Sequence, residues 1–187
     1  MRSSVVLALF AIALGSGAQS QMPVLRCPAP FAALLSDKTF REYAVRTPPS
    51  KSRPAPADVR TGQAHLYRTV IREAAKAGPD FAGHYTLITI GCGAATTCVA
   101  IADARTGKIY FPPELKEATG LLVDTGNVEV DRLNYRRNSR LLIVIGYVNE
   151  NPKRAGASYY LWHAGKLSLL RFTPAFRLCS LPASTQF

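Results

Sequence analysis

At Gly78-Pro79 the sequence changes its period, and that change constrains the fold more than any other feature. Before it, residues 64–76 place Leu66, Tyr67, Val70, Ile71, Ala74 and Ala75 on one helical face, and the glycine-proline step is a natural stop. After it the apolar residues recur every two positions. Residues 85–90 alternate, residues 98–102 form a partner, and Gly107 marks a tight reversal into Ile109-Tyr110-Phe111. Residues 128–133 follow a turn at 124–127. Residues 141–148 are the most apolar stretch and suit a central strand. Residues 159–163 and 167–172 make a last hairpin about Ala164-Gly165-Lys166. The fold class expected is α+β, mainly β: an antiparallel meander of about seven short strands with one or two N-terminal helices.

The N-terminal part is of another kind. Residues 1–20 carry Arg2, an apolar run over 5–14, and small residues at Ala18 and Ser20, the pattern of a cleaved signal peptide. An apolar run of that length is too short to cross a bilayer, so no transmembrane segment is expected in the mature chain. Residues 21–63 read as a short helix with Phe31, Leu34, Leu35 and Phe40, followed by a Pro-rich linker holding Pro48, Pro49, Pro54 and Pro56. Residues 64–187 read as the helix plus the antiparallel β domain. The expected location is exported, either periplasmic or extracellular.

Export makes the cysteines disulfides rather than reactive thiols. Cys92 and Cys98 flank a turn-prone stretch between two strands, which brings their Cα atoms within disulfide reach; Cys27 and Cys179 then pair by elimination. No CxxC or HxxxH spacing supports zinc, so neither a metal nor a cofactor is expected.

The formal net charge is +11, and +10 once Arg2 is removed with the leader. A surplus of that size favours an acidic protein partner or an anionic envelope polymer. The basic groups 51–53, Arg136-Arg137 with Arg140, and Lys153-Arg154 fall in predicted loops. No basic helix with interleaved aromatics is present, so no specific nucleic-acid partner is expected.

Phe81-Ala82-Gly83-His84-Tyr85, then Gly91-Cys92-Gly93, Cys98 and Thr106-Gly107-Lys108, is the most distinctive segment. It resembles a family of small exported bacterial proteins carrying a comparable FAGHY…GCG…C…TGK run. The resemblance spans about 34 residues, with later likeness in the C-terminal strands. It implies compartment and fold type and assigns no activity.

His84 has two readings. As a scaffold residue it hydrogen-bonds locally and fixes the Gly83 turn, so its loss should cost about 1–3 kcal/mol. As a functional residue it is a base or a ligand contact in a cleft. His84 and Cys92 cannot form a catalytic dyad, since eight strand residues separate them by roughly 26 Å. His65 and His163 read as surface or edge residues, and Asp80, Asp103, Asp124 and Asp131 as turn formers. Tyr147, Tyr159, Tyr160 and Trp162 are expected at one end of the sheet as exposed aromatics able to bind a partner. Together these features favour an exported, disulfide-stabilised binding protein, with an inhibitor or immunity-type role as one form of it. The alternatives are a cell-envelope enzyme using His84 and a basic structural protein of the envelope surface.

Overall fold

The alternation after Gly78-Pro79 does form strands. The structure, a computed structural model, describes residues 25–26, 31, 33–45, 53–121, 123–124 and 130–178. The leader, Cys27, Cys179 and most of the 124–127 turn lie outside the described residues.

Eight strands make one antiparallel sheet: β2 (Tyr85–Gly93), β3 (Thr96–Asp103), β4 (Ile109–Tyr110), β5 (Glu117–Gly120), β7 (Leu133–Tyr135), β8 (Leu141–Val148), β9 (Asn151–His163) and β10 (Lys166–Pro174). Their order is β10-β9-β8-β5-β3-β2, with β4 pairing β3 and β7 pairing β8. A separate parallel pair joins β1 (Leu25–Arg26) to β6 (Val123–Asp124). Hairpins join β2 to β3, β8 to β9 and β9 to β10, and short turns join β3 to β4 and β7 to β8.

Short β5 determines how the sheet opens. It bridges β3 and β8 at one end only, through Cys98↔Glu117 and Ala118↔Val148. Towards the other end β3 takes β4 as its neighbour and β8 takes β7. The sheet therefore forks into a β2-β3 wing and a β8-β9-β10 wing. Gly146 (φ 152°) sits at the joint. A Cβ there would stand 2.1 Å from the Thr119 carbonyl oxygen, so only glycine lets β5 and β8 approach this closely.

Period-two alternation fills both faces of each wing. Leu87, Val99, Ile101, Leu142, Val144, Tyr160 and Trp162 share one core cluster with Phe81. The alternate residues Ile88, Ile90, Ala100 and Ala102 pack under the helices with Val59 and Ile71. Leu141, Ile143, Ala157 and Tyr159 pack with Phe31, Phe40 and Leu178. Burial on both faces explains why β8 reads as a continuous apolar run.

Several expectations need correction. Helix 64–76 is two helices, α2 (Gly62–Leu66) and α3 (Arg68–Lys76), broken at Tyr67 (φ −103°, ψ 20°). Its inward face is Tyr67, Ile71, Ala74 and Ala75, while Leu66 is 75% exposed and Val70 43%. The N-terminal helix is interrupted: Phe31, Ala33 and Leu34 are helical, with the Leu35 N–H donating to the Phe31 carbonyl at 3.0 Å, and α1 (Asp37–Arg41) begins after Ser36, whose hydroxyl accepts from the Thr39 N–H. The Pro-rich segment, where described, is no loose linker. Ala55 and Asp58, between and beyond the prolines that lack donors, give their N–H groups to the Ala104 and Gly107 carbonyls at 2.8 Å. Lys153 and Arg154 lie on β9 rather than in a loop, because Asn149 and Glu150, both at positive φ, turn the chain directly from β8 into β9. The last helix, α4 (Ala175–Leu178), buries Leu178.

The expected hairpin disulfide is present. Cys92 and Cys98 are bonded with Cα atoms 5.8 Å apart, Cys92 being the extra residue in a bulge between Gly91 and Gly93. Among the described residues no cysteine is free. Glu117 lies close to both sulfurs, but they are bonded to each other and leave no thiolate for a metal.

Candidate functional site

Four turns meet at the open end of the fork. From the β2-β3 wing come the 81–84 turn that enters β2 and the 103–107 turn that leaves β3. From the other wing come the 136–140 loop before β8 and the turn joining β9 to β10. Between them lies a cleft of about 470 Å³, lined by His84, Tyr85, Arg105, Arg140, Trp162 and His163. Ala44, Val45, Ala82, Gly83 and Ala164 complete its wall.

Each turn is held by backbone. Ala82 (φ 44°) and Gly83 (φ 88°) are both left-handed, which reverses the chain so that Phe81 pairs back onto Tyr85. The Gly83 N–H donates to the Arg137 carbonyl at 2.6 Å and the Ala82 N–H to the Ser139 carbonyl at 3.2 Å, tying one wing's turn to the other's loop. Asp103 builds the second turn. Its carboxylate accepts from the Arg105 N–H at 2.8 Å and its carbonyl from the Gly107 N–H at 2.8 Å. Ser139 anchors the third, donating its hydroxyl to the Phe40 carbonyl at 2.7 Å. Ala164 (φ 49°) and Gly165 (φ 82°) make the fourth a two-residue hairpin turn.

His84 therefore does not fix the Gly83 turn through its side chain. Its carbonyl does part of that work, accepting from the Ala104 N–H at 2.9 Å. The imidazole is 21% exposed and stacks on Tyr85 with ring centroids 4.2 Å apart; its Nε2 stands 3.8 Å from an Asp103 oxygen, beyond hydrogen-bond range. Burial and, next, the Arg105 guanidinium lower its pKa, with Asp103 acting in the other direction. The ring is thus held neutral at pH 7 beside two arginines.

Those arginines were not singled out by sequence reasoning. Arg140 read as solvated loop charge and Arg105 as a turn residue. Among the described residues neither guanidinium has a carboxylate partner. His163, read as an edge residue, is indeed exposed, yet it stands on the cleft rim. The available signal was the Tyr85↔Asp103 register, which sets His84 beside the turn carrying Arg105.

The four aromatics do not form an exposed patch. Tyr159, Tyr160 and Trp162 are only 2%, 1% and 1% exposed, and Tyr147 is half-buried at the far end of β8. Alternation separates them further, because Tyr160 and Trp162 enter the inter-wing core while Tyr159 enters the outer one. Trp162 alone reaches the cleft. Its Nε1 is buried without a well-formed hydrogen bond, and the Tyr85 ring stands edge-on to it at 5.2 Å. Burial raises the Tyr85 pKa, and a polar contact with the indole offsets part of that rise.

Turn chemistry alone does not account for Asp80: its N–H closes the turn onto the Tyr85 carbonyl at 3.0 Å, but its carboxylate reaches further. It accepts from the Leu87 N–H at 2.9 Å and the Tyr135 hydroxyl at 3.2 Å, joining β2 to β7. Burial raises the pKa of both groups, that of Tyr135 to about 12 with help from the Asp80 charge.

The arrangement defines a class: a split antiparallel sheet whose open end holds a half-apolar, cationic cleft built from turns. Comparison with protein families, with curated proteins and with solved structures found no match. The chemistry of the cleft is accordingly read from its own residues.

Proposed function

We propose that this chain is an exported binding protein whose working surface is the cleft at His84, and that its partner presents negative charge there, as an acidic protein or an anionic envelope polymer. The observation that carries this reading is the lining. Two arginines that have no carboxylate partner among the described residues line the cleft with two histidines, and the carboxylate of Asp103 is engaged by its own turn. Backbone-locked turns suit binding, since little conformational freedom remains to be lost when the partner docks. The signal-peptide pattern, the likeness to small exported proteins and the disulfide all agree with export. Among the described residues no helix is long and apolar enough to cross a membrane.

The His84–Asp103 pair supports a second reading, an envelope enzyme in which the imidazole accepts a proton from water. No Ser, Thr or Cys lines the cleft to serve as a nucleophile. One experiment separates these readings. Mature protein beginning at Gln21 and its Arg105→Ser/Arg140→Ser variant are immobilised and exposed to envelope extract at moderate salt. The binding reading predicts a stoichiometric partner retained unaltered by the wild type and lost by the variant. A partner released in cleaved form, with cleavage abolished in His84→Gln, supports the enzyme instead.

A further inference from the structure

We infer that the cleft is a subsite for a small organic carboxylate, with the acid held between Arg105 and Arg140 and its apolar body lying on Val45, Ala82 and Ala164. This rests on the binding reading above and names the ligand chemistry within it. Three observations lead there. The two arginines come from opposite wings, Arg105 from the turn after β3 and Arg140 from the loop before β8, and both line the cleft. Planar, permanently charged forks of this kind match the two oxygens of a carboxylate. Part of the wall is apolar: Ala44, Val45, Ala82 and Ala164 give it surface that a bare inorganic anion leaves unused. A volume of about 470 Å³ takes one small carboxylate-bearing group at a time, whether a free acid or the acidic group of a larger partner.

The positions of the donors are fixed before any ligand arrives. Arg105 is carried on a turn closed by Asp103 and strapped by the Asp58 N–H to the Gly107 carbonyl. Arg140 is held on both sides of its peptide, its N–H donating to the Tyr43 carbonyl and its carbonyl accepting from the Trp162 N–H, each at 2.9 Å. The second of these bonds links the clamp to the one tryptophan of the chain, which also forms part of the cleft wall. That residue is a built-in reporter, because a single indole N–H resonance represents the site.

The probe is benzoate, added to full-length mature protein while the indole N–H resonance of Trp162 is followed by NMR at constant ionic strength. Benzamide serves as the neutral analogue and acetate as the acid without an apolar body. The expected result is a saturable shift with benzoate, at least tenfold weaker binding of benzamide and of acetate, and at least tenfold weaker benzoate binding in Arg105→Gln and in Arg140→Gln. The far-UV spectrum of each variant checks that it is folded. Lys153→Gln, on β9 away from the cleft, should bind as the wild type does. No saturable shift, or equal binding of benzoate and benzamide, overturns the carboxylate assignment. Equal binding of benzoate and acetate removes the apolar body from it. If benzoate fails while the arginine-dependent partner is still captured, this inference falls and the binding reading stands; loss of both overturns both.

Discussion

Asp80 and His84 lie four residues apart in one motif and do opposite kinds of work. Asp80 holds structure: its carboxyl is the acceptor for a strand N–H and a buried phenol. Replacing Asp80 with Ala leaves both donors unpaired and should cost about 1–3 kcal/mol in urea unfolding. Asp80→Asn keeps an acceptor without the buried charge and should recover most of that loss. His84 holds little, since its ring makes no hydrogen bond among the described residues, so His84→Ala should cost about 1 kcal/mol or less at pH 7.5. Its protonation is a separate matter. Folding lowers the pKa from an unfolded value of 6.5, so below that pH the unfolded chain binds the extra proton. Stability contributed by the neutral ring is therefore present above 6.5, declines as pH falls through it, and levels off below the folded value. Urea midpoints at pH 7.5, 6.5 and 5.5 should show a smaller decline for His84→Gln than for the wild type; parallel curves would refute this. Nothing in the local sequence distinguishes these two roles. The Asp80 partner Tyr135 is 55 positions away, and only the folded pairing of β7 with β8 brings it near.

At the scale of elements, the sequence was most informative where the period was regular and both neighbours were local. The β2-β3 hairpin with its disulfide, the β3-β4 reversal and apolar β8 were all legible for that reason. What could not be read was what depends on distant partners. The start of β9 carries Pro152, Lys153 and Arg154 and looks like loop, yet Asn151 and Gly156 on either side pair with Val148 and Gly146 of β8, so the intervening residues run as an irregular stretch of the strand. The helix face was misjudged for the same reason. Leu66 and Val70 fit the apolar stripe, but the helix breaks at Tyr67, Leu66 and Val70 face solvent, and Ile71 of α3 is the residue buried in the core. Thermal or urea unfolding should show Ile71→Ala losing about 2–5 kcal/mol, as a fully buried aliphatic does, and Leu66→Ala losing almost nothing. Comparable losses at the two positions would mean that the helix packs as the sequence stripe suggested.

Across the whole molecule the fork of the sheet is the decisive feature. Because β5 joins the wings at one end only, the other end is left to turns, and those turns bring together side chains from positions 84, 105, 140 and 163. No sequence motif spans a site dispersed in this way, although the fold class is legible in the period of the sequence. The excess positive charge has two meanings that this geometry separates. If charge alone drives association, binding spreads over the basic surface and falls steeply with salt as counterions are released. If the cleft is the site, binding is local and the salt dependence is modest. The direct measurement is amide shift mapping with short poly-L-glutamate at about 50 and about 200 mM salt. The account predicts perturbations concentrated in residues 81–85, 103–107, 138–140 and 162–165, retained at the higher salt and lost in Arg105→Ser/Arg140→Ser. Shifts scattered over Arg136, Lys153 and Arg171 that vanish at the higher salt would contradict it.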